Sequence, residues 1–196
     1  MNRLYLFFIG ALGILFIGCE EPLDYKYADK PLTLNCATID KGLLKEAIYS
    51  FQDDIATFYK DPDILAGSKT AYIEAYKQFI FTGLHGDAPY AEIASPHSLA
   101  VLEKLKKIDD LWDRNRKGTN LNYTGEFMSC IFGNIRDEDL KNQFATILEV
   151  DYLTPQIMAE PMRQQVAKIF NDEHLAMYIA MDAFYQQLLN SATENE

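Results

Sequence analysis

Three histidines and the carboxylates near them are the residues of this chain best suited to metal or acid–base chemistry. A loop-like stretch, residues 83–97, contains His85, Asp87, Glu92 and His97. Two histidines with a carboxylate can hold zinc or iron, which makes His85, Asp87 and His97 candidate metal ligands. The sequence lacks the His-Glu-x-x-His and Glu-x-x-His spacings by which helices present such ligands. We therefore expect no metal and no other cofactor.

Further acidic residues lie in the C-terminal part of the chain. Asp172 and Glu173 precede His174 at the start of a predicted helix, where capping and the helix dipole account for acidic residues. Asp182 lies in the apolar run YIAMDAFYQQ, where an unpaired carboxylate is costly to bury. We expect Asp182 to be hydrogen-bonded to a tyrosine, an arginine or a backbone amide. The alternative is a functional acid with a raised pKa.

Motifs for nucleophilic catalysis and nucleotide binding are absent from the sequence. It contains no Gly-x-Ser-x-Gly elbow, no Walker loop, no dinucleotide fingerprint, and no Ser-x-x-Lys with catalytic partners. These absences disfavour an enzyme.

The N-terminal residues have the organisation of a bacterial secretion signal. Arg3 is followed by residues 4–17 without a charged side chain, and these fourteen residues are fewer than the 18 to 20 that a membrane span needs. Residues 16–19 read FIGC, which resembles the lipobox of bacterial lipoproteins, where a small residue precedes a lipid-bearing cysteine. The departure is Phe16, since that position is most often leucine. The resemblance implies that Cys19 is the lipid attachment site.

The lipoprotein resemblance also implies where the protein resides. It predicts a signal peptide of residues 1–18 and acyl chains on Cys19, and burial of each methylene contributes about 0.8 kcal/mol to membrane binding. The acidic run EEPLD after Cys19 resembles the export tags of some Gram-negative lipoproteins. We expect an outer-membrane anchor, on the periplasmic face or the cell surface. Residues 19–36 would be the lipidated N-terminus and a tether.

Charge and length limit the remaining possibilities. The formal net charge is −11, and the chain has no dense lysine and arginine cluster, which excludes a nucleic-acid partner. Acidity also discourages flat docking on anionic lipid, so the acyl chains would be the membrane contact. Without residues 1–18 the chain has 178 residues, the size of one domain.

Cys36 and Cys130 remain once Cys19 is assigned to the lipid. In an oxidising compartment the two can form a disulfide. The equal alternative is two buried free thiols, because both lie among apolar neighbours.

Apolar residues recur at helical spacing along most of the chain. Leu44, Ile48 and Phe51 follow each other at spacings of four and three, while Glu46 and Asp53 fall on other faces. We predict an all-α domain over residues 37–196, a bundle of about six to seven helices behind the signal peptide and tether. The segment LTLNCATI alternates like a strand but has no partner strand. The predicted helices are 40–61, 68–83, 95–112, 124–132, 137–150, one from 154, and a most buried final helix at 171–189.

The loop at residues 83–97 is the candidate interaction surface, through His85, Asp87, Tyr90 and Glu92. Its segment GDAPYAE, residues 86–92, resembles a turn of SusD-like outer-membrane lipoproteins, which capture glycans beside a porin. That resemblance implies glycan or small-ligand binding. Tyr25, Tyr27 and Tyr90 lie outside the predicted helices, so we expect these aromatic rings to be exposed.

The leading functional hypothesis is a membrane-tethered, non-catalytic module that binds an envelope protein partner. The globular part resembles short helical envelope lipoproteins of unknown function. The alternatives are a glycan or small-ligand binder, and a metal-dependent enzyme that uses His85, Asp87 and His97.

Overall fold

The computed structural model describes residues 22–113 and 121–193. These residues form one compact domain of α-helices and turns without a β-strand, so the predicted all-α class is confirmed. An isolated antiparallel bridge joins Trp112 to Leu121. The helices are α1 (Lys41–Phe58), α2 (Lys69–Gly83), α3 (Tyr90–Ile93), α4 (Pro96–Leu105), α5 (Glu126–Gly133), α6 (Glu138–Glu149), α7 (Pro155–Arg163), α8 (Val166–Asn171), α9 (Glu173–Ile179) and α10 (Gln186–Thr193).

Side-chain caps explain where several helices begin. Asp40 accepts a hydrogen bond from the Leu43 N–H at the start of α1, and this satisfies a backbone donor that the helix leaves free. Ser95 caps α4 and is followed by a proline at the first helical position, where a missing N–H costs nothing. The same side-chain capping occurs at Ser68, Asp137 and Thr154.

The helices are shorter and more numerous than predicted in two places. α4 ends at Leu105 instead of near residue 112, because the chain folds back and the Trp112 indole N–H donates to the Leu105 carbonyl at 2.7 Å. Within the predicted loop at 83–97, the short helix α3 occupies Tyr90–Ile93. An apolar stripe extends through such a turn as easily as through a helix, so periodicity alone did not locate the break.

The centre of the domain is the final helical stretch, as the sequence predicted. α9 continues through a π-helical segment, Ala180–Tyr185, into α10. Every residue from 175 to 186 is buried, and α1, α2 and α5 pack around this stretch. α1 also packs against α4. Among the described helices, none combines the length and apolarity needed to cross a bilayer.

The segment before α1 belongs to the folded domain, so the prediction of a tether reaching residue 36 is wrong. Leu32, Leu34 and Cys36 are buried and alternate with exposed neighbours, which explains the strand-like pattern of LTLNCATI without a partner strand. The Glu173 carboxylate accepts hydrogen bonds from this extended backbone, including the Leu34 N–H at 2.9 Å. Tyr27, expected to be exposed, is 4% exposed.

Cys36 and Cys130 are joined by a disulfide in the structure, with an S–S distance of 2.02 Å and Cα atoms 5.8 Å apart. Of the two alternatives that the sequence left open, the structure therefore contains the bridge. The bridge joins the extended N-terminal segment to α5, and its two cysteines are 94 positions apart in the chain.

Candidate functional site

A cleft of about 1050 Å³ lies beside the C-terminal half of α1. Its walls are formed by residues 53–61, by the start of α2, and by the segment 92–97 that joins α3 to α4. Lys26 from the N-terminal segment also lines it. We call it the Asp53 cleft. Its volume is near the upper end of the range of pockets that hold small ligands.

The carboxylate of Asp53 is fixed by two tyrosines. The Tyr27 hydroxyl donates to Oδ2 at 2.7 Å and the Tyr72 hydroxyl donates to Oδ1 at 2.8 Å. Burial and the bond to Asp53 raise the pKa of Tyr72 to about 12 and raise the pKa of Tyr27 further, so both hydroxyls remain donors at neutral pH. Lys26 Nζ lies 3.9 Å from Asp53 Oδ2 and donates to the Tyr27 oxygen. The Asp53 side chain stays 40% exposed.

Asp54 lies deeper in the wall, with only 7% of its surface exposed. Its Oδ2 accepts hydrogen bonds from the Ser98 hydroxyl at 2.5 Å and from the Ser95 backbone N–H at 2.9 Å. Burial raises the pKa of Asp54, and the bonds from Ser98 and Ser95 act in the opposite direction. Ser98 is further connected through Ser50 to the central helical stretch, where Tyr185 lies 2.9 Å from the Ser50 hydroxyl.

A buried carboxylate, Glu46, joins α1 to the two neighbouring chain segments. It is fully buried, and both of its oxygens are engaged: Oε1 accepts the Tyr27 N–H at 2.7 Å, and Oε2 lies 2.8 Å from His97 Nε2. Burying a carboxylate is tolerable when its oxygens are paired in this way. Glu46 thus fixes His97 at the edge of the cleft and holds the N-terminal segment against α1.

The cleft is lined by more acidic than basic side chains. Five carboxylates line it, against two lysines and His97. The chain as a whole has 29 acidic and 18 basic residues, so the cleft is more acidic than the average of the chain. The carboxylates are Asp53, Asp54, Asp61, Glu74 and Glu92, and the lysines are Lys26 and Lys60.

The predicted interaction loop is divided between several environments. His85 and Asp87 are exposed, and His85 Nδ1 lies 3.2 Å from the Phe81 carbonyl. Tyr90, which we expected to be exposed, is 7% exposed and donates its hydroxyl to the Gly83 carbonyl at 2.7 Å. Of the candidate residues in that loop, Glu92 and His97 line the Asp53 cleft.

The candidate metal ligands are not brought together. His97 pairs with Glu46, whereas His85 and Asp87 lie away from the cleft on an exposed turn. No group of three or more histidine, cysteine or acidic side chains within the described residues could hold a metal ion. Within the described part of the chain, His85, Asp87 and His97 therefore do not form a common site.

Asp182 is a structural carboxylate, as the sequence led us to expect. It is fully buried in the π-helical segment, and its Oδ1 accepts the Tyr123 hydroxyl at 2.7 Å and lies 3.3 Å from Gln186 Nε2. Burial and the nearby Asp182 carboxylate raise the pKa of Tyr178 well above its ordinary value. This cluster lies inside the core and does not line the cleft.

The buried polar residues of α1 that hold the cleft wall were not predicted. Glu46, Ser50 and Asp54 are spaced by four residues and lie buried on one side of the helix; Asp54 lines the cleft, Glu46 is paired with His97, and Ser50 is hydrogen-bonded to Ser98. A stripe of polar residues at helical spacing beside an apolar stripe is the signal that could have identified them. The apolar pattern alone placed Glu46 on another face.

Comparison of the chain with protein-family models, with curated proteins and with solved structures found no match. The proposals below therefore rest on the residues of this chain. The candidate lipid attachment site Cys19 lies outside the described residues.

Proposed function

We propose that the protein is a lipid-anchored module of the bacterial cell envelope that binds a protein partner through the Asp53 cleft and has no catalytic activity of its own. The anchor would be the acyl chains on Cys19. Its support is the lipobox-like sequence FIGC, together with the Cys36–Cys130 disulfide, because disulfides persist in oxidising compartments outside the cytosol.

The observation that carries the binding role is the convergence of hydrogen-bonded polar groups on one open cavity. Asp54, Tyr72 and His97 come from α1, α2 and α4, all three line the cleft, and each is held by a hydrogen bond of 2.9 Å or less. Groups fixed in advance lose little conformational freedom when a partner binds, which favours affinity. A structural role alone would not require these groups to border a cleft of about 1050 Å³.

The contacts of the cleft residues support binding over catalysis. The Glu46–His97 pair resembles the carboxylate–imidazole half of a hydrolytic site, which needs a hydroxyl or thiol on the other ring nitrogen. Within the described residues, the His97 ring is hydrogen-bonded through Nε2 to the Glu46 carboxylate. The nearby Ser98 hydroxyl is fully buried and donates a hydrogen bond to Asp54.

Site-specific photo-cross-linking in cells tests the proposal. A photo-reactive residue in place of Thr57, an exposed residue of the cleft, should give one specific adduct with an envelope protein. The same residue in place of Asn142, exposed on α6, is the matched control and should not give that adduct. Identical adducts at both positions, or none at Thr57, would refute binding through the cleft. For the anchor, Cys19→Ser should abolish incorporation of labelled palmitate.

A glycan or small-molecule ligand is the second candidate. Phe58, Tyr59 and Tyr72 line the same cleft beside carboxylates, and aromatic faces with nearby polar groups suit sugar rings. The turn that resembles SusD-like proteins gives this candidate less support. The turn contributes Glu92 to the cleft, whereas its Tyr90 packs into the core. Binding of the purified chain on a glycan array, in place of the cross-linked protein adduct, would favour this alternative.

A further inference from the structure

We propose that the group that enters the Asp53 cleft is an organic cation on an apolar stem, the guanidinium or ammonium end of an arginine or lysine side chain presented by the partner. This inference rests on the proposed binding role of the cleft and names the chemistry of its occupant. Four features of the cleft support it.

The first feature is charge. Asp53 forms an ion pair with Lys26 at 3.9 Å, and the exposed carboxylates of Asp61 and Glu92 add further negative charge at the cleft. The five carboxylates of the lining outnumber its two lysines, and a cleft with an excess of one sign of charge raises the local concentration of the opposite charge. An anionic or phosphorylated segment would be repelled from the same place.

The second feature is a carboxylate held in place in the cleft wall. Asp54 is more than nine-tenths buried, lines the cleft, and accepts hydrogen bonds at Oδ2 from the Ser98 hydroxyl and the Ser95 N–H. A carboxylate fixed in this way is a ready partner for a charged donor, and a guanidinium or ammonium group supplies N–H donors without an acceptor of its own.

The third feature is the apolar wall. Ala56, Ile64, Ala71 and Ile93 line the cleft together with the carboxylates. Lysine and arginine bury their methylene stems along such surfaces while the charged head reaches polar groups.

The fourth feature is the kind of cation that the cleft can accept. A bound metal ion would need several converging ligands, and the described residues offer no such group. A guanidinium or ammonium head needs one or two carboxylates, and both kinds of head are compatible with an aromatic neighbour such as Tyr72. The cleft therefore fits an organic cation better than a metal ion.

The test uses two probes that share a shape and differ in charge, n-butylguanidinium and n-butylurea. Binding to the purified full chain in detergent is measured by saturation-transfer difference NMR, with empty micelles as the blank. We expect n-butylguanidinium to bind at least about tenfold more tightly, since a desolvated charged hydrogen bond contributes on the order of a factor of ten or more. Equal binding of the two probes would overturn the inference.

Charge-removing variants locate the probe. Asp61→Asn with Glu92→Gln removes two exposed cleft carboxylates and should weaken n-butylguanidinium binding by about two- to fivefold for each charge. The matched control is Asp109→Asn with Glu149→Gln, two exposed carboxylates outside the cleft, which should change the affinity less than about twofold. Equal losses in both double variants would show attraction to net charge alone and would refute the site.

Failure of this inference is distinguishable from failure of the binding role. A protein adduct at Thr57 that n-butylguanidinium does not reduce, and that the Asp61→Asn, Glu92→Gln variant still forms, would refute the cationic occupant and leave the binding role intact. Loss of the adduct at Thr57 in the otherwise unchanged chain refutes the binding role itself. Competition by n-butylguanidinium and not by n-butylurea supports both.

Discussion

Breaking the Cys36–Cys130 disulfide should lower the free energy of unfolding by about 3 to 4.5 kcal/mol. The two cysteines are 94 positions apart, and in the chain-entropy relation a loop of this length corresponds to about 4.6 kcal/mol at 25 °C. Residual structure in the unfolded chain reduces that value, which sets the lower bound. For a domain of this size the melting temperature should fall by about 10 °C.

The single tryptophan makes the measurement direct. Trp112 is 7% exposed, so its fluorescence reports unfolding of the core during urea titration of the full chain with and without reductant. The variant Cys36→Ala with Cys130→Ala is the control: its midpoint should match that of the reduced natural chain and should not respond to reductant. Amide exchange should accelerate first at Leu34, whose N–H is bonded to Glu173 and whose segment the bridge fastens.

Two results would refute this reasoning. Equal unfolding midpoints with and without reductant would mean that the bridge does not restrict the unfolded chain. Reaction of two thiols per molecule in denatured, unreduced protein would mean that the bridge is absent from the isolated protein. A change in midpoint together with unchanged exchange at Leu34 would show that the bridge stabilises the domain without holding the N-terminal segment in place.

Three other substitutions test individual contacts. Burial raises the pKa of Asp54, so the protonated side chain favours the folded state. This contribution to stability is full below the unfolded pKa of about 3.9 and is lost as pH rises through the folded pKa. Asp54→Asn should therefore gain stability relative to the natural chain as pH increases from about 4 to 7 in thermal melts. Tyr72→Phe removes one of the two tyrosine donors to Asp53 and should cost about 1 kcal/mol in urea unfolding. Gly83→Ala would place a Cβ 2.6 Å from the buried Phe79 ring and should cost about 1 to 3 kcal/mol in the same assay.

Matched controls keep these predictions specific. Gly133→Ala, also in a helix but with no neighbouring atom within 4 Å of the added Cβ, should leave stability unchanged or raise it by up to about 1 kcal/mol. If it costs as much as Gly83→Ala, close packing against Phe79 is not the cause. Tyr152→Phe, on an exposed ring, should be neutral, and a pH-independent difference between Asp54→Asn and the natural chain would contradict the ionisation argument.

Capping residues and apolar periodicity were sufficient to predict most helices. Ser68, Ser95 and Asp137 each precede a run with apolar residues on one face, and each forms the expected cap in the structure. Those interactions are local, because the capping side chain and its N–H are three residues apart. Local chemistry is readable from sequence for that reason.

The N-terminal segment and the cleft could not be predicted in the same way. Leu32 and Leu34 are buried against helices that follow them in the chain, and nothing in their immediate neighbourhood specifies that packing. The partners of Asp53 and Asp54 come from positions between 19 and 44 residues away. Contacts of this separation depend on the tertiary arrangement of α1, α2 and α4, which composition and spacing do not specify.

The residues around His85 show a second limit of prediction from sequence. Histidines and carboxylates that are close in sequence suggested a shared site, yet the turn before α3 directs Tyr90 inward and leaves His85 and Asp87 on the surface. Proximity along a loop does not determine which side chains converge. The two residues that do reach the cleft, Glu92 and His97, do so because α3 and α4 are packed on α1.

The position of Lys26 on the cleft wall restricts the geometry of any encounter with a partner. Only seven peptide steps separate Lys26 from Cys19, which allows a separation of at most about 25 Å at full extension. With lipid on Cys19, the mouth of the cleft would stay within roughly one domain diameter of the headgroups. A partner embedded in the same leaflet would then meet it by two-dimensional diffusion, whereas a soluble partner would have to reach it from solution, close to the bilayer.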